Sequence, residues 1–130
     1  MALIAFIESR ACLPHDFASN DCIRYVLGGV EAQFGSSPWP NVDWHDERSA
    51  RRAIAKVGGI EAETDRLFET IEPSQAEFGD IAGARDHEGA FHLLIVEGAL
   101  LSAPGECRLE RRPRTDMIRA WRAGPGVRAQ

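Results

Sequence analysis

Residues 78–102 read FGDIAGARDHEGAFHLLIVEGALLS, and the period of this stretch decides the fold. Apolar residues here come in short runs, IAGA, FHLLIV and ALLS, separated by DHEG and by Gly98. Such separators are turn chemistry, and runs of this length between turns are strands. With ECRLER (106–111) the last three runs form a meander of antiparallel strands, and FHLLIV is apolar enough to be central.

Upstream the period is helical. Residues 2–11 put Leu3, Phe6, Ile7 and Ala11 on one side, and Pro14 closes that first helix. From Ile23 the apolar positions fall at 23, 26, 27, 30 and 34, a second amphipathic helix that stops near Gly35. Residues 45–59 give a charged helix with Ala50, Ile54 and Val57 on its apolar face, closed by Gly58–Gly59. EAETDRLFETI gives a fourth, short one before Pro73. The segment RTDMIRAWR reads as a helical turn or a last strand, with Trp121 packing inward. Helices first and strands second describe an α+β domain, N-terminal helices on a small antiparallel sheet. It is expected over residues 1–122, followed by a mobile tail at 123–130.

At 130 residues the chain is one domain by length. A net charge of −5 and a pI near 5.3 argue against a nucleic-acid binder. The charge is uneven: residues 41–88 hold twelve acids against six bases, whereas 106–130 hold seven arginines against three acids. That basic end is either a solvated face or a surface that touches an anionic polymer or an acidic neighbour. Cys12, Cys22 and Cys107 have no CxxC spacing and are odd in number, so neither a disulfide framework nor a structural zinc site is expected. No histidine–carboxylate cluster has ligand spacing, and no metal or cofactor is expected. The LIAFI run is too short for a signal peptide or a membrane span. The reading is synthesis and folding in a cytoplasm.

Ser19, Asn20 and Asp21 are helix-capping residues, which puts Cys22 at the first turn of the second helix. Free backbone N–H groups and the positive end of the helix dipole gather there and stabilise a thiolate. A nucleophilic cysteine is made in this way, and a small buried packing residue sits in such a place equally well. A nucleophile needs a base, most often histidine. His15 and His45 lie in polar connectors and His87 in a turn, where a histidine is usually solvated. His92 opens the most apolar stretch of the chain, where a polar ring must be satisfied or have a task.

These motifs together resemble a known family. Asp21–Cys22 looks like the DC of NlpC-like cell-wall peptidases, whose fold is papain-like. Gly79–Asp80–Ile81 looks like their strand entry, and His92-Leu-Leu-Ile-Val-Glu-Gly98 like their histidine segment. The layout is similar to a small domain family of tailed-phage gene clusters. Phe17, Asp21–Cys22, Gly58–Gly59, Gly79–Asp80, Gly98 and Ala120–Trp121 stand in that family's order, and the resemblance covers about residues 14–122.

The resemblance implies that Cys22 attacks a peptide or amide carbonyl and that His92 takes the thiol proton and returns it to the leaving amine. The backbone N–H of Cys22 would donate to the oxyanion. The residue that orients the histidine would fall near Ser102, a poor substitute for the usual His or Asn. A tyrosine or glycine pair usual upstream of DC is replaced by FASN, where Asn20 offers a donor or a cap. Asp21 is expected to cap the helix and Asp80 to anchor its turn. The resemblance thus implies a phage-tail cysteine hydrolase that cuts peptidoglycan stem peptides during DNA delivery, among other tail-tip proteins and at the cell wall. Its gaps leave open a weak or inactive tail-tip or tail-assembly protein. A plain α+β domain with Cys22 and His92 in its core is the third reading.

Overall fold

A computed structural model describes residues 2–39 and 42–124. Four helices come first: α1 (Ala2–Arg10), α2 (Cys22–Phe34), α3 (Glu47–Lys56) and α4 (Ile60–Leu67). Six strands follow: β1 (Glu69–Ile71), β2 (Ile81–Arg85), β3 (Phe91–Glu97), β4 (Leu100–Pro104), β5 (Leu109–Pro113) and β6 (Arg119–Arg122). They form one antiparallel sheet in the order β1-β6-β2-β3-β4-β5. The α+β class read from the sequence therefore holds, and β3 is an interior strand.

Two details differ from the sequence reading. Residues 69–71, expected as the end of a helix, leave it at Phe68 and pair with β6 (Glu69↔Arg122). The end of the chain uses both of its options, a 3-10 turn at Arg114–Asp116 and then β6, with Trp121 fully buried. The tail expected at 123–130 lies outside the described residues from 125 on. Ala123 is held in the core, its N–H donating to Asp80 Oδ1 at 3.0 Å.

α2 is the helix on which the site depends. It packs between α1 and β3 because two glycines sit in mid-helix. A Cβ at Gly28 would stand 2.4 Å from the Phe6 ring, and one at Gly29 would stand 2.7 Å from Ile95 Cδ1. Their helix-propensity cost of about 1 kcal/mol each is the condition of that close approach. Buried Ile23, Tyr25, Val26 and Val30 then meet Leu93 and Ile95 of β3 in the main core.

The N-terminus of α2 is fixed in turn by a buried polar knot. Asp21 caps it, Oδ1 accepting from Arg24 N–H at 2.8 Å. Asp21 Oδ2 also accepts from Arg24 Nη1 at 2.8 Å and from Trp44 Nε1 at 2.6 Å. Arg24 spends its other donors on the carbonyls of Phe17, Val42 and Trp44. A charged pair this far from water is tolerated because almost every donor and lone pair has a partner.

Candidate active site

The sheet opens where the site lies. β2 accompanies β3 along its whole length, from Ile81↔Ile95 to Arg85↔Phe91. β4 leaves β3 after Ile95↔Ser102 and continues with β5 alone to Pro104↔Leu109. Val96 bonds Gly79 and Asp80 on the β2 side. By the two-residue alternation of an antiparallel ladder, Leu93 N–H then points toward the departed β4. The Cys22 thiol lies near that vacancy, where the Leu93 N–H favours its ionised form. The first residue of α2 is thereby set against the strand, one position from His92.

His92 is oriented from the other side. Its Nε2 lies 2.8 Å from Asp86 Oδ2. Asp86 belongs to the β2–β3 turn, where its Oδ1 also accepts from Glu88 N–H and Ala90 N–H, both at 2.9 Å. The His92 bond, followed by the Ala90 N–H, holds the Asp86 carboxyl down at about 2. With Nε2 engaged, Nδ1 is the ring atom left to exchange a proton with another group.

Two cavities meet at the thiol. One, of about 290 Å³, is lined by His15, Cys22, Asp86, His92, Pro104 and Glu110 among others. The second, of about 110 Å³, has walls of Phe17, Trp44, Ala50, Ile54, Ile60 and Phe91. His15, Cys22 and His92 line both. A larger compartment that also carries charged side chains and a smaller, more apolar one therefore meet at Cys22, His15 and His92.

Of the two readings open for Cys22, the electrostatics at the thiol follow the buried one. Burial, with Cys22 only 9% exposed, pushes its pKa up from the usual value near 9 to about 11, and the Asp21 charge adds to this. The N–H groups of Leu93, Cys22 and Ile23 pull it down without compensating. Desolvation outweighs the helix terminus, and the resting group is a neutral thiol.

The other sequence candidates take structural places. Ser102 is fully buried and shares a 2.7 Å hydrogen bond with the Tyr25 hydroxyl. It stands opposite Ile95, three residues along from His92, and an odd separation in a pleated strand puts the two on opposite faces. The residue that orients His92 is accordingly Asp86. Asn20 donates from Nδ2 to the Pro14 and Leu13 carbonyls at 3.0 and 3.5 Å, so its amide hydrogens brace the connector. Its Oδ1 is buried without a partner among the described residues. Asp80 anchors its turn, accepting from Glu77 N–H, Arg122 Nη1 and Ala123 N–H. His45 is solvated beside Asp46, as expected. His87 is exposed in its turn, as expected, whereas His15 is half-buried and lines both cavities.

Sequence reasoning missed Asp86 and His15. A signal for Asp86 existed: an acid that opens a four-residue turn faces the first positions of the returning strand. For His15 there was none, because its place depends on a backbone bond to Gly105, ninety residues away. Among the described residues no group of three or more His, Cys, Asp or Glu side chains is arranged to hold a metal. No described helix is long and apolar enough to cross a membrane.

Fold and cleft define an α+β protein in which a helix-terminal cysteine and a strand histidine, braced by an aspartate, share one cavity wall. Residues 1–123 match one family model, Domain of unknown function (DUF6950), and the chain belongs to that family. No curated protein and no solved structure matches it.

Proposed function

We propose that this chain is a cysteine hydrolase of the NlpC-like, papain-like type, cutting peptide or amide bonds in peptidoglycan stem peptides. One observation carries the reading: Cys22 and His92 line the same two cavities, with His92 held by Asp86. A substrate carbonyl at their junction meets the Cys22 sulfur on one side and the α2 N-terminus on another. Because the resting thiol is neutral, His92 accepts its proton during attack. The S–C bond forms as the carbonyl π pair moves onto oxygen. Collapse breaks the C–N bond, and the amine leaves with the proton held by His92. Water then attacks the thioester as His92 takes its proton; the C–S bond breaks, the carboxylic acid leaves, and His92 returns that proton to the Cys22 sulfur, restoring the neutral thiol.

The peptidoglycan substrate, and work in a phage tail among other tail-tip proteins, rest on the motif resemblance. A second reading, a tail component that binds without cutting, is favoured by the raised thiol pKa. Purified peptidoglycan incubated with wild type and Cys22→Ala separates the two. Muropeptide release by wild type alone supports the hydrolase. Equal release by both excludes Cys22 as nucleophile, and release by neither favours the binding role.

A further inference from the structure

The three side chains at the junction of the cavities are His15, Cys22 and His92, and the reaction as derived uses only the last two. We propose that His15 is the side-chain donor to the oxyanion, acting with the backbone N–H of Cys22. This assignment rests on the hydrolase reading.

Four observations support it. His15 is pinned by its backbone, its N–H donating to Gly105 O at 2.7 Å, which ties the connector to the β4–β5 turn across the cleft from β3. Its ring is steadied edge-on by Phe17, with centroids 4.5 Å apart and planes at 81°. The ring has no hydrogen-bond partner among the described side chains, and the residue lines both cavities at the cysteine. Asn20, the other polar side chain of the connector near the cysteine, has already given its amide hydrogens to Pro14 and Leu13. An oxyanion needs donors that are fixed before the charge develops. A half-buried, backbone-anchored imidazole that does not serve as the base meets that description.

The role separates cleanly from that of His92. Alkylation of a thiol by iodoacetamide forms an S–C bond and expels iodide with no carbonyl oxygen involved. Acylation by p-nitrophenyl acetate forms the S–C bond, places the π electron pair on oxygen, and then expels p-nitrophenolate while the thiol proton passes to His92. Only the second reaction uses an oxyanion donor, and neither needs the natural substrate.

The experiment measures both rates at Cys22 for wild type, His15→Ala, His15→Gln and His92→Ala, in a Cys12→Ser/Cys107→Ser background, with circular dichroism as the check on folding. His15→Ala is expected to alkylate at the wild-type rate but to acylate about 10²-fold more slowly, as removal of one oxyanion donor does. His15→Gln, which keeps a donor, is expected to recover most of that loss. His92→Ala should slow both reactions together. Acylation by His15→Ala at the wild-type rate overturns the proposal and leaves the hydrolase reading standing. An equal loss of alkylation and acylation in His15→Ala also overturns it, by making His15 a base. Absence of any nitrophenolate burst from wild type overturns both.

Discussion

His92 Nε2 and Asp86 Oδ2 stand 2.8 Å apart across the β2–β3 turn, six residues apart in the chain. The same carboxylate closes that turn through Glu88 and Ala90, so the orientation of the imidazole is built into the hairpin and not supplied by the next strand. Asp86→Asn keeps an acceptor for the turn but turns a proton acceptor toward Nε2 into a donor. It is expected to lower kcat by about 10²- to 10⁴-fold, the scale found when a base is held in the wrong tautomer, with little change in KM. Steady-state kinetics on peptidoglycan fragments, with a melting curve alongside, checks it.

The same carboxylate sets an acid limb. Its pKa in the folded chain, about 2, is depressed below the ordinary value near 4. Its contribution to stability is therefore present above about pH 4 and is lost as pH falls toward 2. Between those values Asp86→Asn should lose less stability with falling pH than wild type does, as read by urea unfolding at pH 5, 4 and 3.

Cys22 behaves in the opposite sense. A folded pKa raised to about 11 from the usual value near 9 means that its contribution is complete below pH 9 and is lost as pH rises to 11. The loss is on the order of 2–3 kcal/mol at 1.36 kcal/mol per pKa unit. The absorbance at 240 nm of wild type minus Cys22→Ser should show the thiolate appearing near pH 11. A midpoint at or below 8 would mean that the helix terminus, and not burial, governs the resting thiol.

Ser102→Ala should separate packing from chemistry. It leaves the buried Tyr25 hydroxyl without its partner, which costs about 1–3 kcal/mol. Alkylation of Cys22 should be unchanged. A normal melting temperature with lost reactivity would return Ser102 to the site.

Asp21→Ala removes the cap of α2, the counter-charge of the partly buried Arg24 and the acceptor of Trp44 Nε1. A destabilisation of about 3–5 kcal/mol is expected, as for breaking a buried charged pair from one side. Thermal or urea unfolding reads it directly.

Much of this arrangement was legible in the chain itself. The switch from a helical period to short apolar runs at Gly79 foretold the helical layer and the β3–β5 meander, and SND before Cys22 placed that cysteine on the first residue of α2. What escaped depends on pairings distant in sequence. Three residues, Glu69–Ile71, become a strand only because β6 returns to meet them. Ser102 looked close to His92 by spacing, but register assigns it to Ile95 and to the opposite face. The helix terminus does lower the Cys22 pKa, through the N–H groups of Cys22 and Ile23. Burial, which no local pattern announces, is the larger effect at this position and decides between the two readings of Cys22.

The central claim is that Cys22 and His92 act as nucleophile and base on a peptide carbonyl. Its most direct test is to incubate the protein with peptidoglycan stem-peptide fragments, quench in acid and measure the intact mass. A thioester adduct located at Cys22 in wild type, and absent from Cys22→Ala and His92→Ala, is the predicted result. Peptide release that persists in Cys22→Ala with no adduct on any variant would contradict it.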